Sequence, residues 1–181
     1  MCHYTLAVLI GRGPETQAVH ALLTGDRGMA AVIGPAGLGK TAIVRAVVEP
    51  DAVWVRGLAT LRSRPGAALD PVLPTVTGDL ELDASNLVRR LGGRRLVVDD
   101  AQWTDSHTRA VVELVATTAR SVATWRTGDP AAPALPPGHW ACLTLDRLQP
   151  ADARALARRA NPGLVDADLQ PLLEVAQPSL A

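Results

Sequence analysis

Gly34-Pro35-Ala36-Gly37-Leu38-Gly39-Lys40-Thr41 fits the pattern G-x-x-x-x-G-K-[ST] at every fixed position. Before it, Met29-Ala-Ala-Val-Ile33 is a short apolar run that predicts a buried strand; after it, Thr41 to Val48 predicts a helix. A strand, a glycine-rich turn and a helix N-terminus in that order direct several backbone N–H groups at one anion. Lys40 is also the only lysine among 181 residues, against seventeen arginines. A chain that otherwise uses arginine for positive charge keeps one compact ammonium here, where a planar guanidinium would not fit. Residues 34–42, from Gly34 through Ala42, are therefore expected to cradle the phosphate tail of a nucleotide.

Further along, strands are expected at 52–56, 95–100, 121–126 and 140–145, and helices at 14–23, 83–91, 104–119, 150–160 and 165–176. Asp83 or Ser85 would cap the 83–91 helix, with Gly92 as its stop. Residues 57–82 show no clear period and read as mostly loop with one short helix. Residues 127–138 form a Pro/Gly-rich loop. Strands alternating with helices predict a parallel sheet covered on both faces, a three-layer α/β/α sandwich of five strands. We place the nucleotide-binding domain at 1–148 and the beginning of a C-terminal helical lid at 149–181.

Composition narrows the function classes. Formal net charge is zero and the sequence pI is about 6.9. No basic block suggests direct nucleic-acid binding. Cys2 and Cys142 form neither a disulfide framework nor a metal spacing, and the four histidines are scattered. With no apolar run long enough for a bilayer and no signal-peptide pattern, the expectation is a cytoplasmic protein without a membrane partner.

Leu96-Val97-Val98-Asp99 is an apolar strand ending in an acid, the form expected of a magnesium-holding carboxylate downstream of such a loop. Asp99 is accordingly expected to share Mg2+ with the Thr41 hydroxyl. Asp100, one residue on, is placed to orient or deprotonate an attacking water. The bland alternative is that the acid pair merely ends a strand and caps a turn. Thr124 and Arg126 alternate with Trp125, so both polar side chains share one face. If that strand lies beside the 29–33 strand, Arg126 would sense or stabilise the terminal phosphate; otherwise it simply reaches solvent. Arg154, Arg158 and Arg159 read first as a solvated helix face, with a phosphate contact in trans as the alternative. The four tryptophans read as core or edge residues.

Taken together, Leu9-Ile10-Gly11-Arg12, the 34–41 loop, Leu96-Val-Val-Asp-Asp-Ala-Gln-Trp103-Thr-Asp105 and Ala123-Thr-Trp-Arg126 resemble one family. It is the ATPase module of large LuxR-type regulators, within the signal-transduction ATPases with numerous domains (STAND), related to AAA. The resemblance covers the chain from about residue 9 to its end. It implies a five-stranded sheet in which an extra strand, 52–56, separates the P-loop strand from the Asp99 strand. It further implies that Ile10, Gly11 and Arg12 border the adenine or ribose, that Lys40 and Thr41 hold phosphate and magnesium, and that Arg126 is the sensor arginine. ATP/ADP exchange would switch the chain between closed and assembled states, through self-association or docking to other regulator domains.

The departures bear on that expectation. Gly13-Pro14 follow Arg12 where the family reads Gly-Arg-Glu. The stretch between the P-loop helix and Asp99 is short. Ala176-Gln177-Pro178 resembles the family's glycine-x-proline lid motif with alanine for glycine, and the sequence stops just after it, without a helix-turn-helix segment. The expectation is a fragment, or a protein that keeps only the nucleotide switch. Three functions stay open: a slowly hydrolysing ATPase, a nucleotide-binding module or remnant without turnover, and a small P-loop kinase. Against the kinase, 127–138 lacks the paired arginines of a kinase lid.

Overall fold

In the computed structural model, residues 9–24, 28–131 and 140–164 are described. Helix α1 (Gly13–Thr24) leads into β1 (Met29–Gly34) and α2 (Lys40–Val47). Then come β2 (Val53–Arg56), α3 (Leu80–Leu91), β3 (Leu96–Asp99), α4 (Ser106–Ala116), β4 (Ser121–Arg126), β5 (Ala141–Thr144) and α5 (Pro150–Ala160). Single 3-10 turns fall at Ala59–Leu61 and Ala101–Trp103. The helix expected at 165–176 and most of the 127–138 loop lie outside the described residues.

All five strands are parallel, in the order β2-β3-β4-β1-β5. Burial follows that order. The inner strands β3, β4 and β1 are continuous apolar or small-residue runs, buried almost throughout, as strands covered on both faces must be. The edge strands β2 and β5 alternate instead. Side chains of successive residues point to opposite faces. Val97 and Val122 join Val19, Leu23, Ile43 and Val44 in one core cluster, while Val98 and Ala123 join Leu87, Leu91, Val111 and Val115 in the other. Helices α1 and α2 thus cover one face, and α3 and α4 the other. This is the expected three-layer sandwich.

The expected place of the extra strand holds along the chain but not in space. Among the described strands β2 pairs only with β3, at the sheet edge, and β4 lies between the P-loop strand β1 and the Asp99 strand β3. Inserting β4 there brings Arg126 opposite Gly34 in register.

Local chemistry explains the shifted boundaries. α3 begins three residues earlier than expected, because Asp79 rather than Asp83 or Ser85 is its cap: its Oδ1 accepts from the Leu82 N–H at 2.9 Å. Asp83 is fully buried and accepts from the Thr77 N–H, the Thr77 hydroxyl and the Gly78 N–H, with His107 Nε2 at 2.8 Å. Gly92, left-handed at φ 56°, ends α3 as expected. α4 starts at Ser106 and not 104, since Asp105 caps it, and it ends at Ala116. β3 stops at Asp99, because Asp100 turns into the left-handed region at φ 51°. The aperiodic stretch before α3 carries the expected short helical turn, yet it also contributes Ala67, Ala68, Leu69 and Leu73 to the core. Of the tryptophans, Trp125 is buried in that core; Trp54 carries Arg45 over its ring at 5.3 Å, and Trp103 carries Arg62 at 5.9 Å.

Candidate functional site

Because every strand runs the same way, Gly34, Arg56, Asp99 and Arg126 emerge together at the C-terminal edge of the sheet, where open α/β sheets place ligands. The glycine-rich turn leaves β1 there and enters α2 at Lys40. Gly39 precedes that helix at φ 86°, a left-handed conformation that glycine adopts without strain. No side chain among the described residues caps α2. Its first N–H groups and the positive end of its dipole therefore face the turn with no acceptor of the protein's own.

Lys40 lies beneath the turn, with 6% of its surface exposed. Its Nζ donates to the Gly34 carbonyl at 2.9 Å and the Pro35 carbonyl at 2.6 Å, closing the loop on itself. Burial lowers its pKa and Arg126 adds to that, while Asp100 and Asp99 push the other way; the balance lies below the usual lysine value.

The other half of the site is a chain of hydroxyls and carboxylates. Asp99 Oδ1 accepts from the Thr41 hydroxyl at 2.7 Å and from the Thr124 hydroxyl at 2.8 Å. Thr124 Oγ1 in turn accepts from the Asp100 N–H at 2.8 Å. Three elements, α2, β3 and β4, thus converge on one carboxylate. Thr124 and Arg126 share a face, as their alternation implied. The Arg126 guanidinium approaches Asp100 to 3.9 Å and Asp129 to 4.0 Å, and its buried Nε has no acceptor among the described residues.

Sequence reasoning passed over three residues here. Arg56, at the end of β2, lies 3.9 Å from Asp99 Oδ2 and 4.0 Å from Asp100 Oδ2. Gly57 donates its N–H to the Asp99 carbonyl at 2.8 Å, and a Cβ there would sit 2.2 Å from the Asp100 carbonyl oxygen. Gln102, 1% exposed, links Asp100 to the end of β4. The strand register alone could have suggested Arg56, which stands opposite Asp99.

On the far side of the P-loop lies a cavity of about 590 Å³. Leu9, Ile10 and Arg12 line it together with Pro35 to Gly39, Ala42 and Ile43, and with Arg147, Leu148, Pro150, Ala153 and Leu156 from the approach to α5 and α5 itself. Gly11, at φ 67°, packs on the Asp152 side chain of α5. Arg12 borders the cavity, but its guanidinium is already held: it donates to Glu15 Oε1 at 2.7 Å, the Asp146 carbonyl at 2.7 Å and the Leu38 carbonyl at 3.2 Å.

Among the described residues no group of three or more His, Cys, Asp or Glu gathers as a metal site. The Thr41 hydroxyl and Asp99 carboxylate already converge, however, and two hard oxygens are what a magnesium ion shared with phosphates and water requires of a protein. The donor set fits Mg2+.

No protein-family model and no curated protein matches the sequence. Solved structures do match in shape, and the architecture they share with this chain is that of P-loop NTPase domains. One is a STAND protein with a tetratricopeptide repeat sensor from Pyrococcus horikoshii, at TM-score 0.55 and 19% identity, over 93% of this chain and 28% of that one. Domain III of the replication initiation protein DnaA from Thermotoga maritima follows at TM-score 0.53 and 13% identity, over 90% and 75%. A Walker-type ATPase of Pyrococcus abyssi gives 0.51 and 11%, over 91% and 63%. This chain therefore spans little more than a quarter of the length of the STAND protein.

Proposed function

We propose that this domain binds ATP and ADP with Mg2+, hydrolyses ATP slowly, and serves as the nucleotide switch of a cytoplasmic bacterial signalling or transcription regulator of the LuxR-type STAND class. The observation that carries the nucleotide reading is the uncapped α2 N-terminus, with Lys40 beneath it and the Thr41–Asp99–Thr124 relay beside it. The regulator class is supported by the sequence resemblance and by the likeness in fold to a STAND protein.

In this reading the phosphates take the N–H groups of residues 36 to 41, and Lys40 Nζ leaves the Gly34 and Pro35 carbonyls to reach them. The apolar cavity receives the base, with Ile10, Leu38 and Leu156 around it and α5 as the lid's first element. Magnesium, when bound, neutralises charge on the β- and γ-phosphates. Thr41 and Asp99 would hold it. Asp100 accepts the hydrogen bond of the attacking water, whose oxygen bonds the γ-phosphorus as the bond to the bridging oxygen breaks; the water proton leaves toward Asp100 or the phosphate. Arg126, whose Nε has no acceptor among the described residues, contacts the γ-phosphate.

Calorimetric titration of the purified chain with Mg-ATP and Mg-ADP, followed by phosphate-release assays, tests this reading. Saturable binding and slow release of free phosphate are the expected results. Binding without release would leave a nucleotide-binding module, and transfer of phosphate to an acceptor would make it a kinase. A folded chain that binds neither nucleotide overturns the reading.

A further inference from the structure

Asp100 is not placed by the strand that precedes it. It is the only non-glycine residue with positive φ among the described residues, at φ 51° and ψ 46°, so its side chain departs from the alternation of β3. Two contacts to β4 fix it instead. Its N–H donates to Thr124 Oγ1 at 2.8 Å. Its carboxylate is reached through Gln102, in the turn Ala101–Trp103: Nε2 donates to Asp100 Oδ1 at 3.2 Å, while Oε1 accepts from the Arg126 N–H at 2.9 Å.

The amide can face only one way. A backbone N–H must meet oxygen, and a carboxylate oxygen must meet N–H, so reversing the amide would set donor against donor and acceptor against acceptor. With 1% of its surface exposed, Gln102 has little water to replace either partner. Both contacts run between residues distant in sequence, Gln102 with Arg126 and Asp100 with Thr124, and both end on β4 within three residues of each other.

We propose that Gln102 is a positioning residue for ATP hydrolysis: it holds the Asp100 carboxylate where water meets the γ-phosphate and ties it to the Arg126 end of β4. A shift of either group then carries the other. This deepens the ATPase reading above and rests on it. Glutamate in its place would set a carboxylate against a carboxylate, and methionine would fill the volume without a donor.

The test compares wild type, Gln102→Glu and Gln102→Met in steady-state phosphate release with Mg-ATP, Mg-ADP calorimetry and thermal unfolding. For both variants kcat is expected to fall about ten- to a hundredfold, the scale of a misplaced catalytic group. The KM for ATP and the affinity for Mg-ADP should stay within about twofold, because the lost contact acts only on the reacting water. Unchanged kcat overturns the proposal. So does a parallel loss of kcat and Mg-ADP affinity, which would mark a merely structural glutamine. If Gln102→Glu does not unfold cooperatively, Gln102→Met decides on the same readouts. A wild type that releases no phosphate sinks the ATPase reading and this inference together. An active wild type with an equally active Gln102→Met sinks this inference alone.

Discussion

Helices α2 and α4 both begin at the C-terminal edge of the sheet, and they begin in opposite ways. α4 is closed by its own sequence: Asp105 accepts from the Thr108 N–H at 2.8 Å, the Thr108 hydroxyl at 2.6 Å and, from the distant loop, the Gly66 N–H at 2.8 Å. α2 has a glycine where the cap would be, and no side chain among the described residues accepts from its first turn. A capping residue contributes about 1 kcal/mol to a helix. α2 forgoes that contribution, and the N–H groups so released are the ones the proposed function assigns to phosphate. One helix start is closed by its own side chains and the other is left open to an acceptor from outside, and the residue before the helix decides which.

That contrast can be broken from either side. The largest effect is expected at Lys40→Ala, which removes a charged contact to phosphate worth about 1.5–3 kcal/mol and weakens Mg-ATP binding about ten- to a hundredfold by calorimetry. Asp105→Ala should leave nucleotide affinity nearly intact but lower unfolding stability in urea by about 2 kcal/mol, since it opens a buried cap. If the first variant unfolds the chain, or the second abolishes binding, the division of labour is wrong. Gly57→Ala is expected to cost about 1–3 kcal/mol in stability and to slow phosphate release, by driving a methyl into the Asp100 turn. Urea midpoints and turnover measured together check it.

Acid sharpens the same comparison. Burial opposes ionisation of Asp105, but the hydrogen bonds from the Thr108 hydroxyl and N–H and the Gly66 N–H outweigh it and hold its pKa below the usual carboxylate value. A depressed folded-state pKa contributes stability that is present above the unfolded value, about 3.9, and is lost as pH falls through the folded value. Denaturant midpoints of wild type should therefore fall below about pH 4, and those of Asp105→Asn should fall less over the same range. The smallest effect is expected at Arg56→Ala. Its guanidinium stands in water and touches Asp99 and Asp100 only at 3.9 to 4.0 Å, so stability should change by less than about 0.5 kcal/mol in urea titrations.

Much of this is legible in the sequence. Leu96-Val-Val-Asp99 and Met29 to Ile33 are strands because unbroken apolar runs between turns can be buried on both faces, and a P-loop needs only local sequence to be recognised. What escaped depends on contacts distant along the chain. Ala67, Ala68, Leu69 and Leu73 carry no period, since successive turns rather than a helix or strand deliver them to the core. Asp79 rather than Asp83 or Ser85 caps α3, because the chain turns at Gly78 and the Asp83 carboxylate is taken by Thr77, Gly78 and His107, the last from a segment far along the sequence. The role of Gln102 exists only once β4 is inserted next to β3, and no local pattern announces that neighbour. The resemblance implies a place for Arg12 beside the base, but its contacts with Leu38 and Asp146 come from segments far along the sequence and no local pattern shows them.

The strand order has a consequence for how the protein is made. β1, with the glycine-rich turn at its end, is the first of the five described strands to be synthesised, but its two neighbours are the fourth and fifth. During synthesis the strand before Lys40 therefore leaves the ribosome with both edges unpaired, and the β2–β3 pair can form before it has a place in the sheet. Only when Ser121–Arg126 arrives can β1 be inserted, and the same event brings Thr124 to Asp99. Pairing across so long a loop is slow, and it completes the candidate site in the same step. On the proposed reading, a nucleotide that binds only the completed site would draw the last stage of folding forward by mass action.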